Sequence, residues 1–150
     1  MSWFGAKNAQ FKAGFRDVRW GDPPVQGMAV LKQDGHECLY MRSSDSLRLG
    51  DGRLTGINYK FWRGKLHGVV LQIAPGSLRD AMNAVQKVYG KPTQPNPLKQ
   101  RYYWMSLGEG ADTTQAMFDV EPTRQSGTLI IFSKVLVDRR KAEEGEAPSA

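Results

Sequence analysis

Short runs of alternating apolar and polar residues dominate the middle of the chain. Alternation with a period of two predicts half-buried β-strands. The clearest pair of runs flanks Asp34-Gly35, a dipeptide typical of a two-residue hairpin turn. We therefore predict a β-hairpin over residues 28–42 in which Lys32 lies opposite Glu37, a pairing that matches opposite charges across the two strands.

The same alternation predicts six further strands, separated by turns rich in glycine, proline, serine and aspartate. They cover residues 15–20, 57–61, 66–73, 101–107, 114–120 and 128–137.

One stretch instead has apolar residues at helical spacing, between residues 78 and 89. Ser77 and Asp80 form the S-x-x-D pattern of a capped helix start. Gly90 is the expected residue just beyond the helix end, and Pro92 prevents continuation. A single amphipathic helix is predicted here.

The predicted order is β-ββ-ββ-α-βββ, and the short links between strands imply antiparallel neighbours. We predict an α+β fold: a curved, mostly antiparallel sheet of six to eight strands with one helix packed on one face. The predicted organisation is a flexible N-terminal arm over 1–14, a single domain over 15–137, and a disordered charged tail over 138–150.

Four marks in the sequence resemble a set of small bacterial proteins of unassigned function. They are Phe15-Arg16-x-Val18-x-Trp20-Gly21, Tyr89-Gly90-Lys91-Pro92, Gln94-Pro95-Asn96 and Arg101-Tyr102-Tyr103-Trp104. The marks consist of aromatic, glycine and proline residues, which are structural in character. The resemblance implies a bacterial domain with this strand order and assigns no catalytic residue.

Charge is the second feature of the sequence. The net charge is +6, and residues 51–107 hold nine basic and two acidic residues, a local balance of +7. Such a field favours polyanionic partners. The candidate anion-binding residues are Lys60, Arg63, Lys65 and Arg101.

No apolar run approaches the roughly 20 residues that cross a bilayer, so we predict no membrane span. The start of the chain does not have the pattern of a secretory signal, and one cysteine allows no internal disulfide. We expect a soluble, cytoplasmic protein.

Catalytic and metal-binding patterns are incomplete. Cys38 and His36 form half of a metal site, and His67 is the only other histidine. A Cys38–His67 pair lacks an orienting third group, and Asp119 with Glu121 has a spacing common by chance. We predict no metal and no cofactor. An enzyme that uses Cys38 or the histidines stays open as a third, less favoured hypothesis.

Large apolar side chains alternate onto both sides of the predicted sheet. In the strand over 101–107, we assign Tyr103 to the core side. The large side chains then left on the opposite side are Trp62, Tyr102, Trp104 and Met117. An antiparallel sheet with one solvated face should be polar there.

Three explanations of this second face remain open: a curled sheet covered by its own arm and loops, docking of a protein partner or a second copy, and stacking of nucleic-acid bases. We predict an interaction module that binds a protein partner or itself through this face. Polyanion or nucleic-acid binding through the basic 51–107 region is the alternative.

Overall fold

The computed structural model describes residues 13–94, 98 and 100–145. The strands are β1 (Gly14–Phe15), β2 (Val18–Arg19), β3 (Met28–Asp34), β4 (Glu37–Arg42), β5 (Arg48–Leu49), β6 (Gly52–Trp62), β7 (Lys65–Ile73), β8 (Arg101–Leu107), β9 (Thr114–Glu121) and β10 (Ser126–Ser133). The helices are α1 (Leu78–Tyr89) and α2 (Lys134–Glu144), and one 3-10 turn covers Gly110–Asp112.

An open antiparallel sheet of eight strands organises the chain. Its order is β3-β4-β6-β7-β10-β9-β8, with β5 paired to β6 off this path. The β1–β2 pair is a separate two-stranded ribbon. The predicted α+β class and the mostly antiparallel sheet are confirmed, and the one-helix arrangement is not, since a second helix is present.

The buried side of the sheet is the core face. Directly paired residues share a face of a sheet, so the strand registers define rows that cross it. One row runs through Tyr59, Val69, Ile131, Ala116 and Trp104, and the next through Ile57, Leu71, Leu129, Phe118 and Tyr102. Every member except Tyr102 is buried. These rows form the centre of the hydrophobic core.

Helix α1 packs on the core face and confirms the predicted helix. Its close approach to β6 depends on Gly52, where an added Cβ would lie 2.9 Å from the backbone nitrogen of Ala81. The expected side-chain cap is absent: the Ser77 hydroxyl instead accepts a hydrogen bond from the backbone N–H of Arg53 at 3.0 Å. This hydroxyl therefore ties the start of α1 to β6.

The β3–β4 hairpin is present, but the predicted register is wrong. Asp34 pairs with Glu37 and Lys32 pairs with Leu39, so the turn residues are Gly35-His36. Gly35 has a positive φ of 61°, a conformation that glycine adopts readily. A bulge at residue 31 then shifts the remaining pairs of this hairpin. Tyr40 faces the core because it pairs with Tyr59 of β6, and its ring packs against Phe61.

The C-terminal part differs most from the prediction. The last strand, predicted to reach Val137, ends at Ser133, and α2 follows at once. The Ser133 hydroxyl accepts a hydrogen bond from the backbone N–H of Leu136 at 3.2 Å and caps the helix. Residues 138–144, predicted as part of a disordered tail, are helical. Residues 146–150 of that tail lie outside the described residues.

The predicted N-terminal arm is described only at its end, since residues 1–12 lie outside the described range. Ala13 and Gly14 are buried, and Phe15 packs against the Tyr59 ring with centroids 6.2 Å apart. The described end of the predicted arm, Ala13 and Gly14, is therefore buried next to the core residue Phe15.

Candidate functional site: the second sheet face and its charged end

The side of the sheet opposite the core face carries an apolar row. The registers place Val70, Ile130, Met117 and Tyr103 side by side on β7, β10, β9 and β8. All four are half-buried. Three strand spacings of about 4.8 Å give this row a length of about 14 Å. We call these four residues the apolar row.

Polar residues border the apolar row on one side. The neighbouring row across the same strands consists of Gln72, Thr128, Asp119 and Arg101. Thr128 donates a hydrogen bond to the Gln72 side chain at 2.9 Å, and Arg101 forms an ion pair with Asp119. The second face therefore has an apolar centre with a polar border, the composition that protein interfaces show in core and rim.

Two of the four predicted docking residues lie on the wrong side of the sheet. Trp104 and Tyr102 belong to the core face, because β8 pairs Tyr102 with Phe118 and Trp104 with Ala116. Only 3% of Trp104 is exposed. Its indole N–H donates to the carbonyl of Gly90 at 2.9 Å. The alternation in 101–107 is correct, but its phase is the reverse of the predicted one.

A third predicted docking residue, Trp62, is buried beneath α2. Only 2% of it is exposed, and its indole N–H donates to the Glu144 carboxylate at 3.1 Å. The Arg63 guanidinium lies over the Trp62 ring, 5.5 Å from its centroid, and forms an ion pair with Glu143. Of the predicted set, Met117 alone lies half-buried in the apolar row.

Sequence reasoning missed Tyr103, which takes the position that we assigned to Tyr102. Both are tyrosines within one aromatic run, and both have apolar neighbours. Only the register against β9, Tyr103 with Met117, decides which one faces outwards. No signal in the sequence distinguishes them.

A cleft of about 660 Å³ opens beside Val70, between the β3–β4 hairpin, β6 and α2. Its charged lining residues are Lys32, Lys60, Arg140, Asp34, Glu37 and Glu144. Three cations and three carboxylates balance, so the cleft does not select a ligand by net charge.

Glu37 is the centre of this charged cluster. Its carboxylate lies 3.5 Å from the Lys60 ammonium, 3.5 Å from the Arg140 guanidinium and 3.8 Å from Nε2 of His67. Lys60 is on β6 and Arg140 is on α2, so Glu37 joins the hairpin to both elements. We call Glu37, Lys60, Arg140 and His67 the charged end of the second sheet face.

His67 is the buried member of the cluster. Only 2% of the residue is exposed, and neither ring nitrogen has a hydrogen-bond partner among the described residues. Desolvation lowers the pKa of His67 to about 4, which outweighs the opposing effect of Glu37. The imidazole is therefore neutral at pH 7.

The predicted anion-binding residues do not form one site. Lys60 pairs with Glu37, Arg63 with Glu143, and Arg101 with Asp119, while Lys65 is exposed next to the β6–β7 turn. Arg101 is on β8, at the opposite edge of the sheet from the hairpin. Three of the four cations thus have a carboxylate neighbour in their own chain.

Within the part of the chain that the structure describes, no three of the residues His, Cys, Asp and Glu are grouped closely enough to hold a metal ion. Among the same residues, no helix is long and apolar enough to cross a membrane. Comparisons with protein-family models, curated proteins and solved structures give no match to this chain. The resemblance to small bacterial proteins stays a prediction.

Proposed function

We propose that the protein is an interaction module whose second sheet face binds a protein surface, either of a partner or of a second copy. The observation that carries this proposal is the apolar row: four large side chains that cross four adjacent strands and stay partly exposed. Contiguous apolar surface of this kind marks interaction sites more often than scattered apolar residues do.

The polar border supports a protein as the bound molecule. A partner that covers Met117 and Tyr103 would bring its own polar groups to Asp119 and Arg101, which already form an ion pair. The row extends over four neighbouring strands of one sheet. An extended apolar strip with a polar edge suits another protein surface better than a small ligand, which favours a concave site.

The test places one negative charge in the apolar row. Met117→Glu should weaken association, because a carboxylate would have to be desolvated in the interface. Gln72→Glu, with the same charge change on the same face but outside the row, is the matched control. Sedimentation velocity over a concentration series measures self-association. A photo-crosslinking residue at position 117 or 72, introduced in the producing cells, reports a partner.

The proposal expects dimers, or a discrete cross-linked species, that Met117→Glu reduces and Gln72→Glu leaves in place. A protein that stays monomeric at every concentration, and that cross-links no more at position 117 than at position 72, would contradict it.

Polyanion binding ranks second. The basic balance of residues 51–107 supports it, and the ion pairs of Lys60, Arg63 and Arg101 count against it, since each cation is already partly neutralised. Binding to single-stranded RNA should fall steeply with salt concentration if this function exists. Absent or salt-insensitive binding would dismiss it.

A further inference from the structure

Helix α2 is attached firmly at its beginning. The Ser133 hydroxyl caps it, and the Leu136 side chain is buried. The backbone N–H of Lys134 also donates to the Thr113 carbonyl at 3.1 Å, which joins the first turn to the segment before β9. This end of the helix is held by the backbone and by apolar packing.

The other end of α2 is attached differently. No residue between Val137 and Gly145 is buried. The contacts of this half with the sheet include the Glu143–Arg63 ion pair, the Arg140–Glu37 ion pair and the hydrogen bond from Trp62 to Glu144. The Glu143–Arg63 pair has both side chains exposed, and such a pair is weak and is screened by salt. This half is therefore held by polar contacts rather than by burial of its own apolar side chains.

The surface beneath this half combines the charged cluster around Glu37 with a large aromatic side chain. Trp62 is a large aromatic side chain that α2 covers. The closed position of α2 therefore keeps Trp62 from solvent, while the C-terminal half of the helix is itself attached to the sheet by polar contacts.

We propose that α2 is a strap that opens from its C-terminal end, with the turn around Leu136 as its anchor, and that opening adds Trp62 to the second sheet face. The opening itself is independent of the proposed interaction. Its consequence rests on the proposed function: a larger apolar surface next to Val70 and to Phe132, which lies two residues beyond Ile130 on the same face of β10. Closed α2 would then limit association.

The test uses the full chain and the substitution Glu143→Gln, which removes the ion pair to Arg63. Glu143 is exposed, so the core is untouched, and loss of a carboxylate near a helix C-terminus stabilises the isolated helix. Greater opening would therefore come from the lost contact with the sheet. The control is Asp138→Asn, which removes a carboxylate whose ion pair, to Lys134, lies within α2.

Two measurements follow opening: amide hydrogen exchange of residues 138–144, and the fluorine NMR signal of 5-fluorotryptophan at Trp62, assigned with Trp62→Phe. An exposed ion pair corresponds to at most about a five-fold change in population. We expect Glu143→Gln to accelerate exchange in 138–144 by about two- to five-fold and to move the Trp62 signal towards its solvent-exposed position. Asp138→Asn should change both measurements less.

Exchange in 138–144 as slow as in α1, and unchanged by Glu143→Gln, would overturn the strap. Fast exchange with an unmoved Trp62 signal would also overturn it, because only the helix end would then fray. Self-association that rises in Glu143→Gln would add support for the docking consequence. Association that stays constant while Trp62 becomes exposed would refute that consequence and leave the strap intact.

Discussion

Acidification should destabilise this protein through His67 well before most carboxylates titrate. The pKa of His67 falls from its ordinary value of 6.5 to about 4 because the folded chain buries the imidazole. In the unfolded chain the same group takes up a proton near pH 6.5. Between these two pH values the unfolded state binds more protons than the folded state. The contribution of neutral, buried His67 to the free energy of unfolding is therefore fully present above pH 6.5 and is lost as the pH falls towards 4.

The magnitude follows from the two pKa values. The full gap between 6.5 and about 4 corresponds to about 3 kcal/mol. Between pH 7.5 and pH 5, the linkage relation gives a loss of about 2 kcal/mol from His67 alone. This is a large fraction of the stability of a domain of this size.

The assay is urea unfolding at a series of pH values from 7.5 to 5, with the intact protein and His67→Gln compared at each pH. Carboxylates shared by both proteins contribute to both curves, so the difference between the curves isolates His67. The intact protein should lose about 2 kcal/mol more than His67→Gln over this range. The control is replacement of the exposed His36 by Gln. This variant should show the same pH dependence of the free energy of unfolding as the intact protein. Parallel curves for the intact protein and His67→Gln would refute the reasoning.

Two further predictions concern packing. Gly52→Ala should destabilise the fold by about 1–3 kcal/mol, since its Cβ would lie 2.9 Å from the backbone nitrogen of Ala81, whereas Gly56→Ala meets no atom within 4 Å and should cost far less. Equal thermal shifts for the two variants would contradict this. Trp104→Ala should cost about 3–5 kcal/mol in urea unfolding because the ring is buried in the core, and Tyr103→Ala on the second face should cost less. A larger loss of stability for Tyr103→Ala than for Trp104→Ala would instead support the placement predicted from the sequence, with Tyr103 on the core side.

The elements set by local chemistry could be predicted from the sequence. Helix α1 follows from apolar spacing and from the Gly90 stop, and both depend only on residues within one segment. The β3–β4 hairpin follows from the turn composition and the flanking alternation. The antiparallel sheet follows from short links between successive strands.

Two details could not be predicted: which two residues form the turn of the β3–β4 hairpin, and which alternate residues of β8 face the core. Both Asp34-Gly35 and Gly35-His36 can form a tight turn, and the observed register places Gly35-His36 in the turn. In the aromatic run 101–107, either set of alternate residues is apolar enough to face the core. The register with β9 chooses Trp104, whose indole N–H then reaches the Gly90 carbonyl.

The sequence by itself determined that strands alternate along the chain, that one helix interrupts them, and that more apolar surface exists than one helix can cover. The tertiary structure alone decided how that surface is divided. Helix α2 is highly charged and has little amphipathic pattern, so hydrophobic periodicity does not reveal it, although its Arg, Lys, Ala and Glu residues favour a helix and Ser133 caps its start. It is held by long-range pairs such as Arg63 with Glu143, and these partners come together only once the sheet has formed.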